Sequence, residues 1–175
     1  MSKTIIAIPD QHAHPDFSNE RADWLARLII DVQPDIVINI GDAADMHSLS
    51  DYDKGKRSFV GRSYRKDIDA HLEFQERLWE PVRKRKKKLP RRIVIEGNHE
   101  HRVEKVLDTH PELIDTVSFK DYDFDRYYDE VIRYEGGSPG TIEVEGFLCS
   151  HFLPAGVRGL PVGGDRAGHL LLNKY

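Results

Sequence analysis

Asp35-Ile-Val-Ile-Asn-Ile-Gly-Asp-Ala-Ala-Asp45 begins as an almost unbroken β-rich run and ends in glycine and two carboxylates. Continuous apolar character over so short a run predicts a strand covered on both faces. Upstream, Thr4-Ile-Ile-Ala-Ile8 has the same character. Between the two runs, Trp24, Leu25, Leu28, Ile29 and Val32 share one helical face, Ser18 or Asn19 offers an N-cap, and Pro34 closes the segment. Strand, helix and strand at this spacing make a βαβ unit, so the first sheet is expected to be largely parallel.

Downstream, Arg92-Ile-Val-Ile-Glu96 reads as a third strand and Thr141 to Cys149 as a fourth. Residues 43 to 64 read as an irregular loop. A second helix is expected from about Tyr64 into the basic run Arg83 to Lys88, with Pro81 near its first break. His99 to Leu107 has helical spacing. Gly136-Gly-Ser-Pro-Gly140 predicts a turn joining Val131–Tyr134 to the fourth strand as a hairpin.

With 175 residues, the chain is expected to form one domain spanning 1–175. Its net charge of −4 argues against coating nucleic acid through bulk charge, although the run Arg83 to Arg92 leaves nucleic-acid contact open. The single cysteine, Cys149, excludes an internal disulfide, fits a reducing compartment, and is read as inward-facing. No apolar stretch reaches the roughly 20 residues that span a bilayer, and the first residues do not read as a signal peptide, so a cytoplasmic location is expected.

Polar residues recur where the strands end. Asp10-Gln-His12 follows the first, Gly41-Asp-Ala-Ala-Asp45 the second, Gly97-Asn-His-Glu100 the third and Ser150-His151 the fourth. Carboxyl ends of parallel strands converge on one sheet edge, so Asp10, His12, Asp42, Asn98, His99 and His151 are expected to meet. In an extended segment, Asp10 and His12 would point the same way and share an ion. Carboxylate, imidazole and amide donors without thiolate suit Mn²⁺, Fe²⁺, Zn²⁺ or Ni²⁺ rather than a structural zinc. Two such ions could share a carboxylate and an activated hydroxide that attacks phosphorus. His14, His47, His71, His101 and His110 read as surface or loop residues.

In order and spacing these motifs resemble the calcineurin-like metallophosphoesterase superfamily, and Asp45-Met-His-Ser-Leu-Ser-Asp-Tyr-Asp-Lys-Gly-Lys56 is similar to its phage-type members. The resemblance implies an α/β fold built as a metallophosphoesterase-like β-sandwich flanked by helices. It implies two divalent metal ions, Mn²⁺ foremost, and a phosphodiester or phosphomonoester substrate, with a nuclease as one form. It assigns Asp10 and His12 to the first metal, Asp42 as the bridge, and Asn98 and His151 to the second. It makes His99 the proton donor oriented by Asp45, and Arg102 a phosphate contact. Family members end the site with Gly-His-x-His. Here Gly168-His-Leu-Leu171 departs from that motif, and His169 reads as a helix residue. The last strands of the second sheet are therefore expected to be missing. Two alternatives follow: a non-catalytic scaffold, or a fragment completed in trans by a second chain that supplies the histidines. The Gly-rich stretch from Ala155 to Asp165 lacks the Gly-Lys-Ser/Thr of a P-loop and is expected to act as a flap near His151.

Overall fold

The computed structural model describes residues 3–85, 88–154, 161 and 171. Gly168, His169, Lys86, Lys87 and all of the stretch 155–165 except Pro161 lie outside the described residues, and so do the expectations placed on them.

Strands β1 (Ile5–Ile8), β2 (Ile36–Asn39), β3 (Arg91–Ile95) and β4 (Glu130–Ile132) form one parallel sheet in the order β1-β2-β3-β4. Ile6 pairs with Val37, Ile38 with Ile93, and Val94 with Val131. Alternation along each strand divides the isoleucines and valines between two cores. Ile8, Val37 and Val94 face helices α1 (Glu20–Val32) and α2 (Tyr64–Arg85), where Ile29, Phe74, Leu78 and Trp79 are fully buried. Ile36, Ile38, Ile93 and Ile95 face the other way and pack with Val144. That second cover is a two-stranded antiparallel ribbon, β5 (Ile142–Val144) and β6 (Phe147–Cys149). The result is an α/β fold with a four-strand parallel sheet flanked by helices.

Five local expectations are corrected. The face of α1 turned inward carries Ala22, Ala26 and Ile29, whereas Trp24, Leu28 and Val32 are 64%, 45% and 44% exposed. Small alanines let α1 lie close to α2, and contacts from Arg77 to Asp23 at 2.6 Å and from Asn19 to the Ala70 carbonyl at 3.1 Å tie the two together. Helix α2 runs through Pro81 without a break. Proline's fixed φ is helical, the ring deletes one backbone donor, and buried Leu78, Trp79 and Val82 hold the helix down on both sides of it.

The stretch Thr141–Cys149 is not one strand but a hairpin. Glu145 and Gly146 both have positive φ, 51° and 86°, as a two-residue type I′ turn requires. The Gly136-Gly137 turn does form, closing Glu135 on Ser138, but residues 130–132 join β3 in parallel instead of pairing with 141–149. Helix α3 (Arg102–Thr109) starts three residues later than expected, because the N–H of His99 is taken by the Asp42 side chain at 3.0 Å. A short helix α4 (Phe124–Tyr127) follows. Cys149 is half-buried against the second core. Among the described residues, no helix is long and apolar enough to cross a membrane.

Candidate metal centre

The loops leaving β1, β2 and β3 are stitched to one another before any side chain chemistry begins. His12 N donates to the Asp42 carbonyl at 2.8 Å and Ala13 N to the Ala43 carbonyl at 2.9 Å. Arg21, from α1, donates to the carbonyls of Gln11 and His12 at 2.7 and 2.9 Å, fixing the first loop from below. Buried Asn39 accepts from Gly41 N at 3.0 Å and donates to the Tyr128 hydroxyl at 3.2 Å. Asp10, His12 and Asp42 all hold left-handed backbone, with φ of 41°, 43° and 53°. Such conformations are costly for non-glycine residues and persist only where surrounding bonds over-determine them.

Glu100 performs that role for the second and third loops. Its fully buried carboxylate accepts from Asp42 N at 3.0 Å, Ala44 N at 2.8 Å and Gly97 N at 2.8 Å. Burial and the adjacent Asp42 carboxylate push its pKa up to about 7, in opposition to those N–H groups. Close approach also explains two glycines. A Cβ on Gly97 would sit 2.2 Å from Asp42 N, and one on Gly41 2.6 Å from His151 Nδ1.

Asp42 lies at the centre of the resulting site. Its Oδ2 is 3.8 Å from His12 Nε2 and 3.8 Å from His99 Nε2, while its Oδ1 is 3.5 Å from His151 Nε2. Ligand atoms within 4.8 Å of one another form two groups, His12–Asp42–His99 and Asp10–Asp42–His151. Asp10 thus groups with His151 and His12 with His99, and left-handed backbone at Asp10 and His12 replaces the extended segment expected there. Asn98 Oδ1 is 2.9 Å from His151 Nε2.

Three acceptors converge here, Asp42 among them. His151 Nδ1 donates to the Ile40 carbonyl at 2.9 Å and turns its Nε2 toward the oxygens of Asn98 and Asp42. A cation would satisfy lone pairs gathered this way. Imidazole, carboxylate and amide oxygen without thiolate are the donors of a borderline divalent ion, so the residues fit such a group.

His99 donates from Nδ1 to the Asp45 carbonyl at 2.6 Å, and Asp45 Oδ1 is 3.2 Å from the same nitrogen. Burial opposes the imidazolium, but Asp45 and Asp42 together outweigh it and raise the pKa of His99. Asp45 is lowered in turn, its bond with His99 prevailing with the nearby imidazoles over the opposing effect of burial. His12 shifts down through burial and the neighbouring His99. Arg102 donates to the Asp45 carbonyl at 2.7 Å and approaches His99 Nε2 at 3.1 Å, which brings a guanidinium to the edge of the site.

Three positioning residues escaped the sequence reading. Glu100 stood in view as a motif residue, but its three acceptor bonds had no signal. Arg21 and Asn39 carry no motif at all. His71, expected at the surface, is fully buried, and His14 and His47 are largely so, with side chains 12% and 14% exposed. His101 stacks on Tyr134, with centroids 4.0 Å apart.

The sequence model of the calcineurin-like phosphoesterase family matches residues 3–167. No curated protein matches the chain at a significant level.

Proposed function

The chain belongs to the calcineurin-like phosphoesterase family, and from that premise we propose that it hydrolyses a phosphate ester using two divalent ions that share Asp42. The observation that carries this reading is the orientation of the Asp42 carboxylate: one oxygen faces His12 and the other faces His151. A carboxylate placed in this way would be able to hold two ions.

In this reading Asp42 would serve both ions, His12 the first, and Asn98 and His151 the second, with Asp10 on the His151 side where its ligand atom groups. When bound, the ions supply charge neutralisation at phosphorus and an acidified water. The chain's own residues do the rest. His99, held by Asp45 through Nδ1, keeps Nε2 directed at the site and delivers a proton to the leaving oxygen. Arg102 offers its guanidinium to the phosphate oxygens. Mn²⁺ is the proposed ion, with Fe²⁺, Zn²⁺ or Ni²⁺ as substitutes. The substrate is a phosphodiester or phosphomonoester. A nuclease is the finer form that the basic end of α2 supports, since Arg83, Lys84 and Arg85 are exposed or half-buried there. The tract 45–56 supports a place among phage-type members, and the lone cysteine supports a cytoplasmic location.

Hydrolysis of an aryl phosphodiester and an aryl phosphomonoester, with Mn²⁺ and after chelation, tests the proposal. Turnover that needs Mn²⁺ and vanishes in Asp42→Ala supports it. A folded, metal-loaded protein inert toward both esters with every one of these ions contradicts it.

A further inference from the structure

Beside the Asp42 centre, His14, Asp16 and His47 bring one ligand atom each within 4.8 Å of the others. We propose that these three residues form a separate site for a single Zn²⁺-class divalent ion.

The imidazoles are prepared for the task. Fully buried Asp67 accepts from Ser48 N at 2.9 Å through Oδ2 and places Oδ1 2.7 Å from His47 Nδ1. The two atoms are close but not aligned as a hydrogen bond; a slight turn of the ring would let the carboxylate take the Nδ1 proton and leave the lone pair on Nε2, the arrangement found behind metal-binding histidines. Among the described residues, no hydrogen bond reaches Nε2 of His47. His14 repeats the pattern in mirror order. Its Nε2 lies 3.9 Å from Asp45 Oδ2, and its Nδ1 carries the lone pair, accepting from Asp16 N at 3.0 Å. An ion taking that lone pair would displace one backbone donor at the surface, where water replaces it at little cost.

The two rings lie 4.2 Å apart at 30°, so small rotations would turn His14 Nδ1 and His47 Nε2 toward a common point, and exposed Asp16 closes the set. Two imidazoles and one carboxylate leave a fourth position of a tetrahedral ion open. That side faces a cleft of about 360 Å³ lined also by Arg62 and Lys66. Arg62 is committed to Asp53 and to the His47 carbonyl. Lys66 makes no ion pair among the described residues and stands ready for an anionic group on the open position. Asp45 lies between His14 and His99, so an ion here would load next to the Asp42 centre without sharing a ligand with it.

Equilibrium dialysis of the full chain against Co²⁺, with visible absorption as a second readout, tests the assignment. His14→Gln and Asp16→Asn should each bind one ion fewer than the wild type, keep the far-ultraviolet circular dichroism, and lose the tetrahedral Co²⁺ band. Asp42→Asn should retain that band. Equal stoichiometry in the wild type and both folded variants would overturn the site. A wild type that binds one ion, lost in Asp16→Asn but kept in Asp42→Asn, would support this site while counting against the dinuclear reading.

Discussion

Glu100 Oε2 accepts the backbone N–H of Asp42 at 3.0 Å, so a buried carboxylate from the third loop sets the position of the carboxylate at the centre of the site. The same side chain bonds Ala44 and Gly97, tying the ends of β2 and β3 into one unit. Removing it leaves three buried donors unpaired.

Glu100→Ala is therefore expected to cost more than about 3 kcal/mol, each orphaned donor contributing on the order of 1–3. Glu100→Gln preserves the shape but turns an amide NH₂ toward at least one N–H. We expect it to fold and to bind metal about 10–100-fold more weakly, the usual effect of losing a partner that orients a ligand. Urea denaturation and Mn²⁺ titration measure both effects.

Gly97→Ala tests the close approach of the same two loops. Its Cβ would lie 2.2 Å from both Asp42 N and Asp42 Oδ1, inside any tolerable contact. A destabilisation of about 3 kcal/mol or more is expected, from overpacking against backbone that cannot retreat. An unchanged melting temperature would show that the loops are not held this tightly.

How much of this could be read from the sequence depends on the range of the cause. The polar ends of the three parallel strands were legible, because an apolar run followed by glycine and acid is a local pattern. The hairpin inside 141–149 was not, because Glu145 takes left-handed backbone only in the company of Gly146 and the covering sheet. The inward face of α1 was misread for a related reason. Trp24 and Leu28 outweigh Ala22 and Ala26 in hydrophobicity, but close packing against α2 selects the small side chains. Asp10, His12, Asp42, Asn98, His99 and His151 were legible as a gathering, whereas the grouping of Asp10 with His151 and of His12 with His99 comes with positive φ values that no spacing encodes.

His99→Ala separates a proton donor from a metal ligand. The account expects unchanged ion stoichiometry and a rate lower by about 10²–10⁴-fold. His99 also lies in one ligand group with His12 and Asp42, so an ion lost in His99→Ala would reassign it to the metal.

His71 gives a pH dependence outside the proposed ligand set. Burial pushes its pKa down to about 4, its Nε2 contact with the Tyr122 carbonyl acting the other way. Between about 4 and the unfolded value near 6.5, the unfolded chain binds more protons, so stability rises with pH across that window. His71 contributes its full stability above about 6.5 and loses it as pH falls, with a ceiling of about 3 kcal/mol. Urea melts from pH 4.5 to 7.5 should show this slope, and His71→Gln should flatten it. The same slope in the variant would assign the effect to other groups.

Electron paramagnetic resonance of the Mn²⁺-loaded protein tests the shared carboxylate most directly. Two Mn²⁺ ions on one Asp42, about 3.5–4 Å apart, are exchange-coupled. The account predicts a coupled multiline spectrum in the wild type that disappears in Asp42→Asn. Only the six-line signal of isolated Mn²⁺ in the wild type, at saturating metal, would contradict it.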